Sequence, residues 1–156
     1  MIGSEGMKDF AQAISKGALN HLTHLNLDGN TFGPEGMKYF AQALSKGALN
    51  NLTYLNLGGN TIGSEGMKDL VQALSNGALK HLSATHLNVN KNNIDDEGMK
   101  AFTEAISKGL LNNIVLLHLY ENTFGNKGIN AFAGALANVS CQQLGAGRKQ
   151  NTQSPL

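Results

Sequence analysis

A chain of 156 residues has room for one domain built on one continuous core. Its 41 % hydrophobic content fits a globular protein, while a charged content of only 15 % alongside 19 glycines suits a turn-rich repeat better than a generic globule. A net charge of +1 gives no pull on nucleic acid or an anionic membrane, and a single cysteine, Cys141, rules out an internal disulfide framework.

The chain opens on a helix and alternates from there. From Ile2 it reads IGSEGMKDFAQAISKGALNHLTHLNLDGNT. Met7, Phe10, Ala11 and Ile14 fall at helical spacing and predict one buried stripe. Glu5 lies in the first turn, where the helix dipole favours an acid, and Lys16-Gly17 marks the end. Leu22, Leu25, Leu27 and Asn30 follow in the spacing L-x-x-L-x-L-x-x-N, whose period of two predicts a short strand with one buried face. The second copy starts at Phe32 as FGPEGMKYFAQALSKGALNNLTYLNLGGNT, with Pro34 at the helix start, where its missing N–H costs nothing. The third starts at Ile62 and is longer by two. Leu82 and Leu87 stand five apart where the other copies have three, so two residues within Ser83-Ala84-Thr85-His86 are expected to bulge out before the strand, leaving its neighbours in register. The fourth copy starts at Ile94, and the fifth, FGNKGINAFAGALANVS from Phe124, stops partway. Residues 1–138 therefore read as one repeat domain of four full copies and a final helix, and 139–156, with few apolar residues, as a disordered tail.

A strand-then-helix unit repeated every 30 residues cannot bury its own apolar face, so the copies must stack. The expected fold is an α/β solenoid, a curved horseshoe fragment with four parallel strands inside and five helices outside. Four copies of L-x-x-L-x-L-x-x-N followed by I-G-x-E-G-M-x-x-F-x-x-A-L resemble the ribonuclease-inhibitor-like leucine-rich-repeat family, over about residues 2–137. That family includes the repeat regions of intracellular innate-immune receptors and the Ran GTPase-activating proteins. The resemblance implies that Asn30, Asn60, Asn92 and Asn122 turn inward to bond the bend after each strand, as a buried amide requires.

Other polar columns have structural explanations. Lys8, Lys38, Lys68 and Lys100 and the first-turn glutamates read as a solvated outer face with local ion pairs, each contributing at most about 0.5 kcal/mol. The five histidines form no H-x-x-x-H and have no ligand partners at metal spacing, so no metal site is expected. Neither a nucleophile elbow nor a phosphate loop occurs, so no catalytic residue, cofactor or small-molecule substrate is expected.

Among the few positions at which the near-identical first two copies differ, His24/Tyr54 and Asp28/Gly58 lie on the open face of the sheet. That face carries the columns His24, Tyr54, His86, Leu116; Asn26, Asn56, Asn88, His118; and Asp28, Gly58, Asn90, Tyr120. Aromatic groups among adaptable polar neighbours suit protein recognition. The expected function is a non-enzymatic module binding a protein partner on the concave sheet through His24, Asn26, Asp28, Tyr54, Asn56, His86, Asn88, Asn90, His118 and Tyr120, with no nucleic-acid or membrane partner. The expected compartment is cytoplasmic, since no export signal or span of roughly 18 apolar residues is legible. Two alternatives stand beside it. One is a GTPase-activating protein of the Ran type, although the only arginine, Arg148, lies far from the strands in sequence. The other is a fragment of a larger intracellular receptor or effector, suggested by a sheet only about 15 Å wide.

Overall fold

The computed structural model describes residues 1–79, 85–112 and 114–149, with the backbone alone for Thr85 and 139–149. Among them helices and strands alternate: α1 (Gly3–Ser15), β1 (His24–Asn26), α2 (Gly33–Ser45), β2 (Tyr54–Asn56), α3 (Gly63–Ser75), β3 (Thr85–Asn88), α4 (Asp96–Ser107), β4 (Ile114–His118) and α5 (Asn126–Lys149). The strands form one parallel sheet in the order β1-β2-β3-β4. Each helix packs on the next in sequence, as does each strand. This is the expected repeat solenoid. A strand takes about 4.8 Å of the stack and a helix roughly 8–10 Å, so the array bends towards its sheet, which becomes the inner face.

One core runs the length of the stack. From the helices come Met7, Ile14, Met37, Phe40, Leu44, Met67, Leu70, Met99 and Phe102, and from the strand side Leu25, Leu27, Leu55, Leu57, Leu87 and Val89. Both periodicities read from the sequence therefore converge on the same interior.

The helix ends are made in two ways. Ile2, Phe32 and Ile62 precede the first three helices and offer no side-chain cap. The bend after the next strand caps them instead. Gly3, Gly33 and Gly63 donate their N–H groups to the carbonyls of Asn30, Asn60 and Asn92 at 3.0, 2.9 and 2.8 Å. The last two described helices have side-chain caps: at α4 Asp95 accepts from the N–H groups of Glu97 and Gly98, and at α5 Asp96 Oδ1 accepts from those of Gly125 and Gly128 at 2.8 Å. At the other end Lys16, Lys46 and Lys108 are the cap residues rather than members of the last turn. The glycines after them adopt the left-handed conformation, with φ of 95°, 90° and 73° at Gly17, Gly47 and Gly109.

The asparagine ladder turns inward as expected. Asn60, 0 % exposed, donates from Nδ2 to the carbonyls of Leu27, Leu57 and Gly58 at 2.8, 2.9 and 2.9 Å, and its Oδ1 accepts the Asn30 N–H at 2.8 Å. Asn92 Oδ1 accepts from the N–H groups of Asn60 and Ile62, and Asn122 Oδ1 from those of Asn92 and Ile94. Each amide thus closes its own bend and ties it to the preceding copy.

In the third copy, residues 80–84, including most of the expected bulge, lie outside the described residues. Beyond them β2 and β3 pair with Tyr54 opposite His86 and Asn56 opposite Asn88. The irregularity in the sheet falls between β3 and β4, where Thr85 pairs with Ile114 but His86 pairs with Leu116. Val115 is the extra residue and points into solvent.

At the C-terminus the helical backbone passes the boundary expected at 138 and continues to Lys149. No proline lies between 138 and Pro155 to interrupt the helix. The remainder of the expected tail, 150–156, lies outside the described residues. No described helix is long and apolar enough to cross a membrane.

Candidate functional site

Alternation along each strand sets the inner face. Leu25, Leu55 and Leu87 point to the core, so the residues on either side of each point away from the helices. The observed register aligns His24 with Tyr54, His86 and Leu116, and Asn26 with Asn56, Asn88 and His118. Two of the expected columns therefore exist in space as rows across the sheet. The third, residues 28, 58, 90 and 120, follows at the strand ends, tied across by backbone bonds such as Gly29 N–H to the Gly58 carbonyl and Gly59 N–H to the Asn90 carbonyl.

The first row is aromatic. The His24 and Tyr54 rings stack with centroids 5.8 Å apart, and Tyr54 meets His86 edge-on at 6.4 Å. Thr23 Oγ1 lies 2.9 Å from His24 Nδ1 and orients that ring. Beyond His86 the row ends on Leu116, an exposed apolar side chain. His118 and Tyr120 form a second edge-on pair at 6.2 Å, with Tyr120 53 % exposed. His86 and His118 fall in different rows, so imidazoles are not paired across the sheet.

The asparagines behave differently from expectation. Asn26, Asn56 and Asn88 each accept the N–H two residues on, from Asp28, Gly58 and Asn90, at 3.0, 2.9 and 2.9 Å. Their oxygens serve the bend, which leaves less freedom to adapt to a partner. Asn26 is exposed and Asn88 half-buried, but Asn56 is buried. Asn90, also expected at the contact surface, is only 3 % exposed. These two are corrections to the expected contact set: the central position of the sheet and the close bend after each strand sink them below their neighbours. Asn90 Oδ1 has no hydrogen-bond partner. Leu116 and Val115 join the exposed surface, and Leu116 was recognisable from its place in the first column.

The helical face is locally neutralised. Glu5 pairs with Lys8 at 3.6 Å and Glu65 with Lys68 at 2.7 Å, one turn apart. That hydrogen bond to Glu65 raises the Lys68 pKa. Tyr39 donates to Glu35 at 3.1 Å, a bond that raises the phenol's pKa, and Lys8 lies 5.8 Å from its ring centroid. Among the described residues, no three His, Cys, Asp or Glu side chains converge as a metal site would require.

The family described as Leucine Rich repeat matches residues 18–41, 48–71 and 85–102. The chain carries leucine-rich repeats. Each matched segment takes in one strand and the first part of the following helix, the unit that stacks. A solved structure titled "Leiomodin-1 Actin-Binding Site 2 (ABS2)" has the same fold, with a TM-score of 0.57 at 13 % identity over 94 % of this chain and 96 % of that one. No curated protein matches the sequence.

Proposed function

We propose that this leucine-rich-repeat array is a non-enzymatic module that receives a partner protein on its inner sheet face. The observation that carries the reading is the row His24–Tyr54–His86 on three strands, in which a half-buried Tyr54 ring packs against an exposed imidazole on either side. Rings held on a rigid sheet bury a large area at little cost in ordering, which is what binding hot spots supply. Leu116, His118 and Tyr120 extend the surface to β4, while Asn26 and Asp28 extend it to β1. The neighbour of nearly equal length is named for binding actin, which supports a binding role for an array of this size. The 30-residue period and the 13-residue outer helices favour the ribonuclease-inhibitor type of repeat.

Affinity capture on immobilised chain, followed by titration of the retained protein, tests the face. Tyr54→Ala and Tyr120→Ala are expected to weaken the partner by about 2 kcal/mol each, as hot-spot truncations do. Lys38→Glu and Lys68→Glu, on the helical side, are expected to leave it unchanged. Binding that follows the lysines and ignores the tyrosines overturns the proposal.

A further inference from the structure

Gly58 stands where the other copies carry Asp28, Asn90 and Tyr120. Its backbone does not call for glycine. The left-handed position of this bend is the next one, occupied by Gly29, Gly59, Lys91 and Glu121, and Gly58 lies outside that region. What glycine supplies at 58 is space. A Cβ there would stand 2.5 Å from Asp28 Oδ1, 3.1 Å from Asn56 Oδ1 and closer still to Asn90 Oδ1. Three side-chain oxygens, from three neighbouring copies, therefore converge over one bare Cα.

All three have acceptor capacity to spare. Asn90 Oδ1 is buried with no partner at all. Asn56 Oδ1 accepts the Gly58 N–H and keeps a second lone pair. The Asp28 carboxylate makes no ion pair among the described residues. A buried acceptor left empty is costly, and oxygens crowded together repel one another. A positively charged donor above Gly58 relieves both.

We propose that this tripod, closed at the buried Asn90 Oδ1 in the free chain, opens by rotation of the exposed Asp28 side chain to receive a lysine ammonium group of the partner protein, a proposal that rests on the sheet-face reading above. The donor count selects the ligand. A lysine Nζ carries three donors and no acceptor, matching three convergent oxygens, whereas the planar arginine fork suits two parallel acceptors. Calcium takes six to eight oxygens and relies on several carboxylates, where this set holds one carboxylate and two amides. Tyr120 is the next side chain along the column from Asn90 and exposes its ring. It offers an apolar surface for the lysine's methylene stem.

The test is a titration of the 15N-labelled full chain with Nα-acetyl-lysine N-methylamide, followed at the backbone amides of Gly58 and Gly59 and the side-chain amide of Asn90. Saturable shifts confined to these groups are expected. The matching norleucine derivative, which lacks the ammonium, and tetramethylammonium, which lacks donors, should not produce them. Asp28→Asn should weaken binding tenfold or more. Gly58→Ala should abolish it while keeping the native spectrum, because its Cβ meets only the ends of side chains that can swing aside. The absence of saturable shifts overturns the proposal, as does Gly58→Ala binding as the parent does. Shifts produced by calcium and not by the lysine derivative overturn it in favour of an inorganic cation. Should the tyrosine variants above abolish partner binding while the lysine derivative fails to titrate, the tripod alone falls. If the derivative titrates but partner binding ignores both Tyr54 and Asp28, the site binds ammonium and the docking face is elsewhere, which overturns the assignment to a partner lysine.

Discussion

Leu55 sits midway along the stack and is 0 % exposed, with Leu57 beside it equally enclosed. Removing either side chain to Ala leaves a cavity that stacked copies on both sides hold open, at a cost of about 2–5 kcal/mol in a denaturant titration. Asn56→Ala, between them, loses one accepted backbone bond and costs about 1 kcal/mol; a loss equal to that of Leu55 would contradict the strand orientation. Asn60→Ala is far more damaging than its polar character suggests. It leaves the buried Asn30 N–H without its acceptor and takes one of two donors from each of the carbonyls of Leu27, Leu57 and Gly58, and the expected loss is about 1–3 kcal/mol. A change under 1 kcal/mol in the same titration would show that water replaces the amide. The leucines and the ladder were legible at this scale because their spacing alone puts them inside. The burial of Asn56 and Asn90 was not, since a period of two says which side of the sheet a residue takes and nothing about how deep it lies.

Among the elements, α4 begins differently from the first three helices. Asp95 caps it, and the Ser64 hydroxyl first and the N–H of Gly98 second hold the carboxyl below its usual range; burial opposes them, and the N–H of Glu97 adds a lesser lowering. A lowered folded-state pKa means that the ionised cap stabilises the fold at pH above the ordinary carboxylate range. The contribution is lost as pH falls through the lowered value. Asp95→Ala is therefore expected to cost about 1 kcal/mol at neutral pH, with the gap between parent and variant closing in acid. Melting curves of the two across pH check this, and a gap that persists undiminished into strong acid would show that the cap does not act through its charge. The sequence carried this signal, since Asp95 and Asp96 replace the Gly-Ser or Gly-Pro of the first three helices. The caps of the first three helices were not legible, because their acceptors lie 27 to 29 residues ahead, at the bend after the next strand.

For the whole molecule, stability is a sum over neighbours, so the ends are weaker than the middle. Leu25, in the first copy, is 8 % exposed against 0 % for Leu55, while Leu117 and Leu119 in the fourth are only partly covered. Beside β4 the core opens into a cleft of about 300 Å³ lined by Phe102, Ile106, Leu117 and Phe132. Leu25→Ala should accordingly cost less than Leu55→Ala. Native-state hydrogen exchange should find the amides of α2, β2 and α3 slowest and those of α1 and α5 fastest. Uniform protection from α1 to α5 would mean that the array opens only as one unit.

The sequence by itself determined the repeat, the order of strand and helix, the buried stripes and the rows of the inner face. All of these follow from periodicity, and a periodic chain writes the same local instruction in every copy. Tertiary structure alone decided how distant parts of the repeats meet: the backbone caps from the bend after the next strand, the irregular pairing at Val115, the depth of Asn56 and Asn90, and the three oxygens over Gly58. Each depends on backbone or side-chain groups about 30 residues apart meeting where the repeats stack, and no local pattern encodes the distance or tilt at which two stacked copies come to rest.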